Sequence, residues 1–72
     1  MNERDKIRYL LSVNHLSFAW LIEMLRKRGI ETTSPVLSGV LAGTRSGPSV
    51  DKIIAESIDI LDWYERQIGG VS

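Results

Sequence analysis

Residues 16–43 read LSFAWLIEMLRKRGIETTSPVLSGVLAG, two short helical patterns joined by a turn. Ser17 is a good N-cap, because its hydroxyl can accept from a free backbone N–H of the first turn. Leu16 and Leu21 occupy the two positions of a hydrophobic staple around it. Phe18, Leu21, Ile22 and Leu25 form an inward stripe, with Trp20 and Met24, four apart, on an adjacent face. Arg26, Lys27 and Arg28 crowd the last turn, where cations suit the helix dipole. Gly29 is the expected left-handed stop, and Ile30 supplies the apolar contact that often follows one. After the connector Glu31-Thr32, Thr33 can cap a further helix whose first turn tolerates Pro35. Val36, Leu37, Val40 and Leu41 carry its apolar pattern for about two to three turns, until Gly43.

Outward from this stretch the periodicity stays helical, with no alternating strand pattern and no repeat. Asn2 caps a first helix with Glu3 and Asp5 in its first turn. Ile7, Leu10, Leu11 and Asn14 share one of its faces, and Val13-Asn14-His15 reads as its end. On the other side, Thr44-Arg45-Ser46-Gly47-Pro48 has the composition of a turn. Ser49 is the expected cap of a last helix over about residues 49–68, with Asp51 in its first turn and Gly69-Gly70 beyond it. That helix carries two apolar stripes, one of Val50, Ile54, Ile58, Leu61 and Ile68, the other of Ile53, Ile60, Trp63 and Tyr64. So wide an apolar surface exceeds what one small helical hairpin covers. Ile53, Ile60, Trp63 and Tyr64, with Gln67, are therefore the candidate dimer interface. The expectation is one all-α domain over residues 1–72, with four to five short helices.

Composition narrows the function. A 72-residue chain has a marginal core, and with no cysteine it has no disulfide to support it. One histidine and no thiolate offer a metal too few ligands, so neither a metal nor a cofactor is expected. Hydrophobic content of 43% with 25% charged residues is globular rather than disordered. Nine basic residues balance nine acidic ones, so a polyanionic partner must be argued from local placement, and neutrality itself favours self-association. No apolar run reaches the roughly 18 residues of a membrane span. The charged start, Met1 to Asp5, has no apolar segment behind it, which leads to the expectation of a cytoplasmic protein without membrane contact.

The Leu16–Gly43 stretch resembles the helix-turn-helix of lambda-repressor/Cro-like (Xre-type) regulators, in particular a short phage and bacterial subgroup. The positions that carry the resemblance are Leu21, Ile22, Leu25, Gly29-Ile30, Thr33, Leu37-Ser38, Val40 and Gly43, and it extends over roughly residues 4–68. It implies a lambda-repressor-like fold with the motif over about 17–43, and double-stranded DNA as partner. In such proteins the second motif helix lies in the major groove and the first crosses the backbone. By this resemblance the helix starts at Ser17 and Thr33 would meet phosphates. Ser34, Pro35, Val36, Ser38 and Gly39 would face the groove. Thr44, Arg45 and Ser46 would grip phosphate after it, and Lys27 and Arg28 would add backbone contacts. The implied function is a sequence-specific transcriptional regulator, a repressor acting as a dimer on half-sites about 34 Å apart.

The remaining residues have plainer readings. Arg4, Lys6 and Arg8 read as surface solubilisers, and Glu56, Asp59 and Asp62 as a solvated helix face. His15 reads as a satisfied loop residue. No nucleophile with a base, no Gly-x-Ser-x-Gly elbow and no phosphate loop is present, so neither catalysis nor a small-molecule substrate is expected. A second class of function keeps the fold without DNA, as a protein-interaction module such as an anti-repressor or adaptor. Neutral charge and the absence of Arg, Lys, Asn and Gln from residues 33–43 favour it, since those are the good base readers.

Overall fold

The structure, a computed structural model, describes residues 2–69. Four helices follow one another: α1 (Glu3–Val13), α2 (Phe18–Lys27), α3 (Ser34–Ala42) and α4 (Pro48–Gly69). The protein is all-α, with no strand among the described residues. Three helices start where a short polar side chain can accept a hydrogen bond. Asp5 N donates to Asn2 Oδ1 at 2.8 Å, Trp20 N to Ser17 Oγ at 3.1 Å, and Val36 N to Thr33 Oγ1 at 3.4 Å. α4 departs from expectation, because it begins at Pro48 and leaves Ser49 inside the helix rather than at its cap. Proline has no N–H to lose and its φ is already helical, so the helix opens on it. Asp51 N then closes the first turn onto Gly47 O at 3.0 Å, with Gly47 at φ 122°, which side chains rarely adopt. Gly70, one of the two glycines expected to end α4, lies outside the described residues.

α1, α2 and α3 all end the same way. A residue in the left-handed region follows the helix, and the next N–H reaches back to a carbonyl five residues earlier. These pairs are Leu16 N to Leu11 O at 2.8 Å, Ile30 N to Leu25 O at 3.0 Å, and Thr44 N to Gly39 O at 3.0 Å. This Schellman closure satisfies carbonyls that the helix itself leaves unpaired. Gly29 and Gly43 provide the left-handed residue at φ 83° and 82°, but at the end of α1 it is His15, at φ 56°.

The core draws on every helix. Ile7, Leu10 and Leu11 of α1 and Leu21 and Leu25 of α2 meet Leu37, Val40 and Leu41 of α3. Val50, Ile53, Ile54, Ile60 and Leu61 of α4 complete it. α1 and α2 each pack against both α3 and α4. The radius of gyration, 11.7 Å, is close to the roughly 11 Å expected of a compact chain this long.

This packing corrects the expected dimer seam. From Val50 to Leu61 the two apolar stripes of α4 merge into one broad face turned to the core, because α4 lies against two helices rather than one. Ile60 is fully buried and Ile53 is 7% exposed, so both serve the monomer's own core. Tyr64 is half-buried and meets Trp20 of α2 edge to face, with ring centroids 5.3 Å apart at 74°. Of the five residues expected at the seam, only Trp63 and Gln67 are exposed, on a turn shared with exposed Ile68.

Ser57 sits fully buried in the middle of that face, and its hydroxyl has no partner. An unmade hydrogen bond in an apolar core costs the desolvation of the group. Ser57→Ala should therefore raise stability by about 1 kcal/mol, read as a higher urea midpoint at unchanged slope. His15→Gly should likewise gain about 0.5–1 kcal/mol by relieving a left-handed backbone, whereas His15→Val should lose stability in the same titration.

Candidate functional site

α3 turns Leu37, Val40 and Leu41 inward and leaves Ser34, Pro35, Ser38 and Ala42 exposed, with Gly39 half-buried beside them. Ser34, Ser38 and Ala42 are four apart, as are Pro35 and Gly39, so these five line one outer face. The face is built of small residues and leaves the helix backbone close to the surface. Val36 does not belong to it. It is half-buried and packs against the core cluster, at the edge of the groove-facing set expected of it. Ala42, one turn beyond Ser38, takes a place on this face that the sequence motif did not assign.

The loop after α3 closes back onto the helix. The Thr44 backbone N–H and hydroxyl both donate to Gly39 O, at 3.0 and 3.1 Å. The side chain of Arg45 runs across Gly39. A Cβ at position 39 would lie 2.9 Å from Arg45 Nε, 3.1 Å from Cδ and 3.3 Å from Cγ. No side chain fits in that space while the arginine occupies it. Glycine thus accommodates the close approach of a neighbouring side chain, which a Cβ would displace, while Gly39 itself has an ordinary helical backbone. Thr44, Arg45 and Ser46 are all exposed.

Arg4 holds this loop from below. Its Nε donates to Val40 O at 2.8 Å and its Nη2 to Arg45 O at 3.4 Å, joining the first turn of α1 to the end of α3. A guanidinium at a helix C-terminus is also favoured by the dipole. Arg4 is half-buried and is a positioning residue, not the surface solubiliser its sequence context suggests. Lys6 and Arg8 do lie toward solvent, paired with Asp62 and Asp5.

Two of the other arginines are less available. Arg28 is bound to Glu56, at 3.2 Å, and to Asp59, so the acidic side of α4 holds it away from the expected backbone contact. Its pKa stands above the usual value, first because of the hydrogen bond to Asp59, against some desolvation, with Glu56 adding to the rise. Arg26 is paired with Glu23, whose carboxyl is held below its ordinary value chiefly by that hydrogen bond. Lys27 is exposed at the end of α2. Ser17 and Thr33 are exposed, with their side-chain oxygens engaged as helix caps. Beside Thr33, an open groove lined by Ile22, Glu23, Arg26, Glu31 and Thr32 carries two carboxylates against one guanidinium. Arg4 and Arg45 thus stand at the C-terminal end of α3, whereas its N-terminus lies beside Glu23 and Glu31.

No helix is long and apolar enough to cross a membrane, among the described residues. Comparison with protein-family models, curated proteins and solved structures finds no match to this chain.

Arg4→Ala should cost about 1–2 kcal/mol in chemical denaturation, because it removes a charged hydrogen bond to the part-buried Val40 carbonyl and a longer, exposed one to the Arg45 carbonyl. Arg8→Ala, which loses only an exposed pair with Asp5, should stay within about 0.5 kcal/mol of the parent chain.

Proposed function

We propose that this chain is a small DNA-binding transcriptional regulator, in the manner of lambda-repressor/Cro-like proteins, that lays the outer face of α3 in the major groove. The observation that carries the reading is that face: Ser34, Pro35, Ser38, Gly39 and Ala42 are small, and Arg45 borders them as an exposed cation. Small side chains let a helix approach base edges closely, and hydroxyl and methyl groups can contact either bases or thymine methyls. Ser34 and Ser38 supply the hydroxyls. Thr44, Arg45 and Ser46 lie where a loop leaving the groove meets phosphates. Regulation would follow from occupancy, with a bound dimer covering a promoter and excluding polymerase as a repressor. The second copy would join through the outer turn of α4, where Trp63, Gln67 and Ile68 are exposed. Its symmetry would call for half-sites about 34 Å apart. Such a protein works in the cytoplasm of a bacterial host.

A second reading has specific support. Arg26 and Arg28 are neutralised by Glu23, Glu56 and Asp59, and the net charge is zero. That favours a protein-interaction module in which the same α3 face meets another chain.

Selection of bound duplexes from a random pool at low salt separates the two. The regulator should enrich one palindromic motif, with affinity falling as salt rises. Ser38→Asp should lower retention at least tenfold while helix content and thermal midpoint hold, because it sets a carboxylate against the phosphates. An unenriched pool, with no DNA retained even at low salt, would overturn the DNA reading in favour of the protein module.

A further inference from the structure

We infer that Arg45 is the base-reading side chain of the α3 face, reaching across Gly39 to recognise guanine. This rests on the DNA-binding reading above and specifies how that face would discriminate sequence. α3 and its cap contain no Arg, Lys, Asn or Gln, so the helix has no side chain of its own for a bidentate base contact. The long polar side chain on this face comes from the loop. Arg45 Cγ, Cδ and Nε pass over Gly39, in the space a side chain at position 39 would fill. The arginine therefore occupies the outer face in place of a residue of the helix.

Its base is held on two sides. Thr44, the preceding residue, is fixed to Gly39 O by its backbone and its hydroxyl, and the Arg45 carbonyl accepts from Arg4 Nη2. Arg45 has no carboxylate partner among the described residues, whereas Arg8, Arg26 and Arg28 each have one. A fixed base lowers the entropy lost when the guanidinium binds. Its planar fork of donors matches O6 and N7 of guanine in the major groove. A side chain that only met phosphate would have no need to cross the helix at its closest point. Gly39 is then the floor beneath a reader that the neighbouring loop provides.

The test compares the parent chain with Arg45→Ala, Arg45→Lys and Gly39→Ala, by selection from random duplexes and by titration on the selected site and its single-base variants. The parent chain should select a motif with guanine at one fixed position of each half-site. Arg45→Ala should keep the rest of the motif but lose about tenfold or more of the discrimination at that position. Arg45→Lys, which keeps the charge without the fork, should lose most of the same discrimination. Gly39→Ala, with helix content checked by circular dichroism, should displace the arginine and relax the same position. If Arg45→Ala instead weakens all duplexes alike and lowers the salt slope by about one with the motif intact, Arg45 is a phosphate contact. The inference then falls and the DNA reading stands. Guanine preference intact in Gly39→Ala would also overturn it. If the parent chain enriches no motif, the DNA reading fails and the inference fails with it.

Discussion

α4 is the floor on which the other helices rest. Its inward face, from Val50 to Leu61, is buried in the core with both α1 and α2 packed against it, and these two helices in turn pack against α3. A chain of 72 residues has too little core to leave any helix packed on a single neighbour. Burying a leucine or isoleucine fully contributes about 1.5–3 kcal/mol, and Ile60 and Leu61 each reach that limit. α3 makes the fewest demands on the core. It is nine residues long, and with three of them fully committed inward its opposite face is left free.

Much of this was legible in the sequence, because it is local physics. Asn2, Ser17 and Thr33 cap helices, and Gly29 and Gly43 stop them, through bonds that span at most five residues. Where the sequence misled, the decisive contact lay far along the chain. Two stripes on α4 suggested a surplus of apolar surface, and only the placement of α1 and α2 shows both stripes buried from Val50 to Leu61 within one copy, with Trp63 and Ile68 left exposed beyond. Arg4 resembles any charged residue near a chain start, yet its partners lie 36 and 41 positions away. Gly39 is placed on the groove-facing side by the motif, but nothing near it in sequence signals that Arg45 lies across it. No short-range pattern encodes such a contact.

The charge balance follows the same logic. Equal numbers of acids and bases suggest a featureless surface, but the pairing is uneven. The acids of α4 and Glu23 absorb Arg28 and Arg26. Arg4 and Arg45, at the other end of α3, are not among the paired cations and are directed to backbone carbonyls and to solvent. Exposed ion pairs add little stability each, so these acids matter more for the cations they remove from the surface than for the fold.

The staple through Arg4 carries a dynamic consequence. Arg4 belongs to the first turn of α1, and terminal turns are where helices fray. That turn persists through the Asn2 cap, an interaction typically near 1 kcal/mol. When the turn opens, the Arg45 carbonyl loses its donor and the α3–α4 loop gains freedom. The coil-to-helix balance at the start of the chain thus sets the stiffness of a segment some 40 residues away. Amide exchange at Asp5 and in the Thr44–Ser46 loop would then rise and fall together, two distant segments opening as a single cooperative unit.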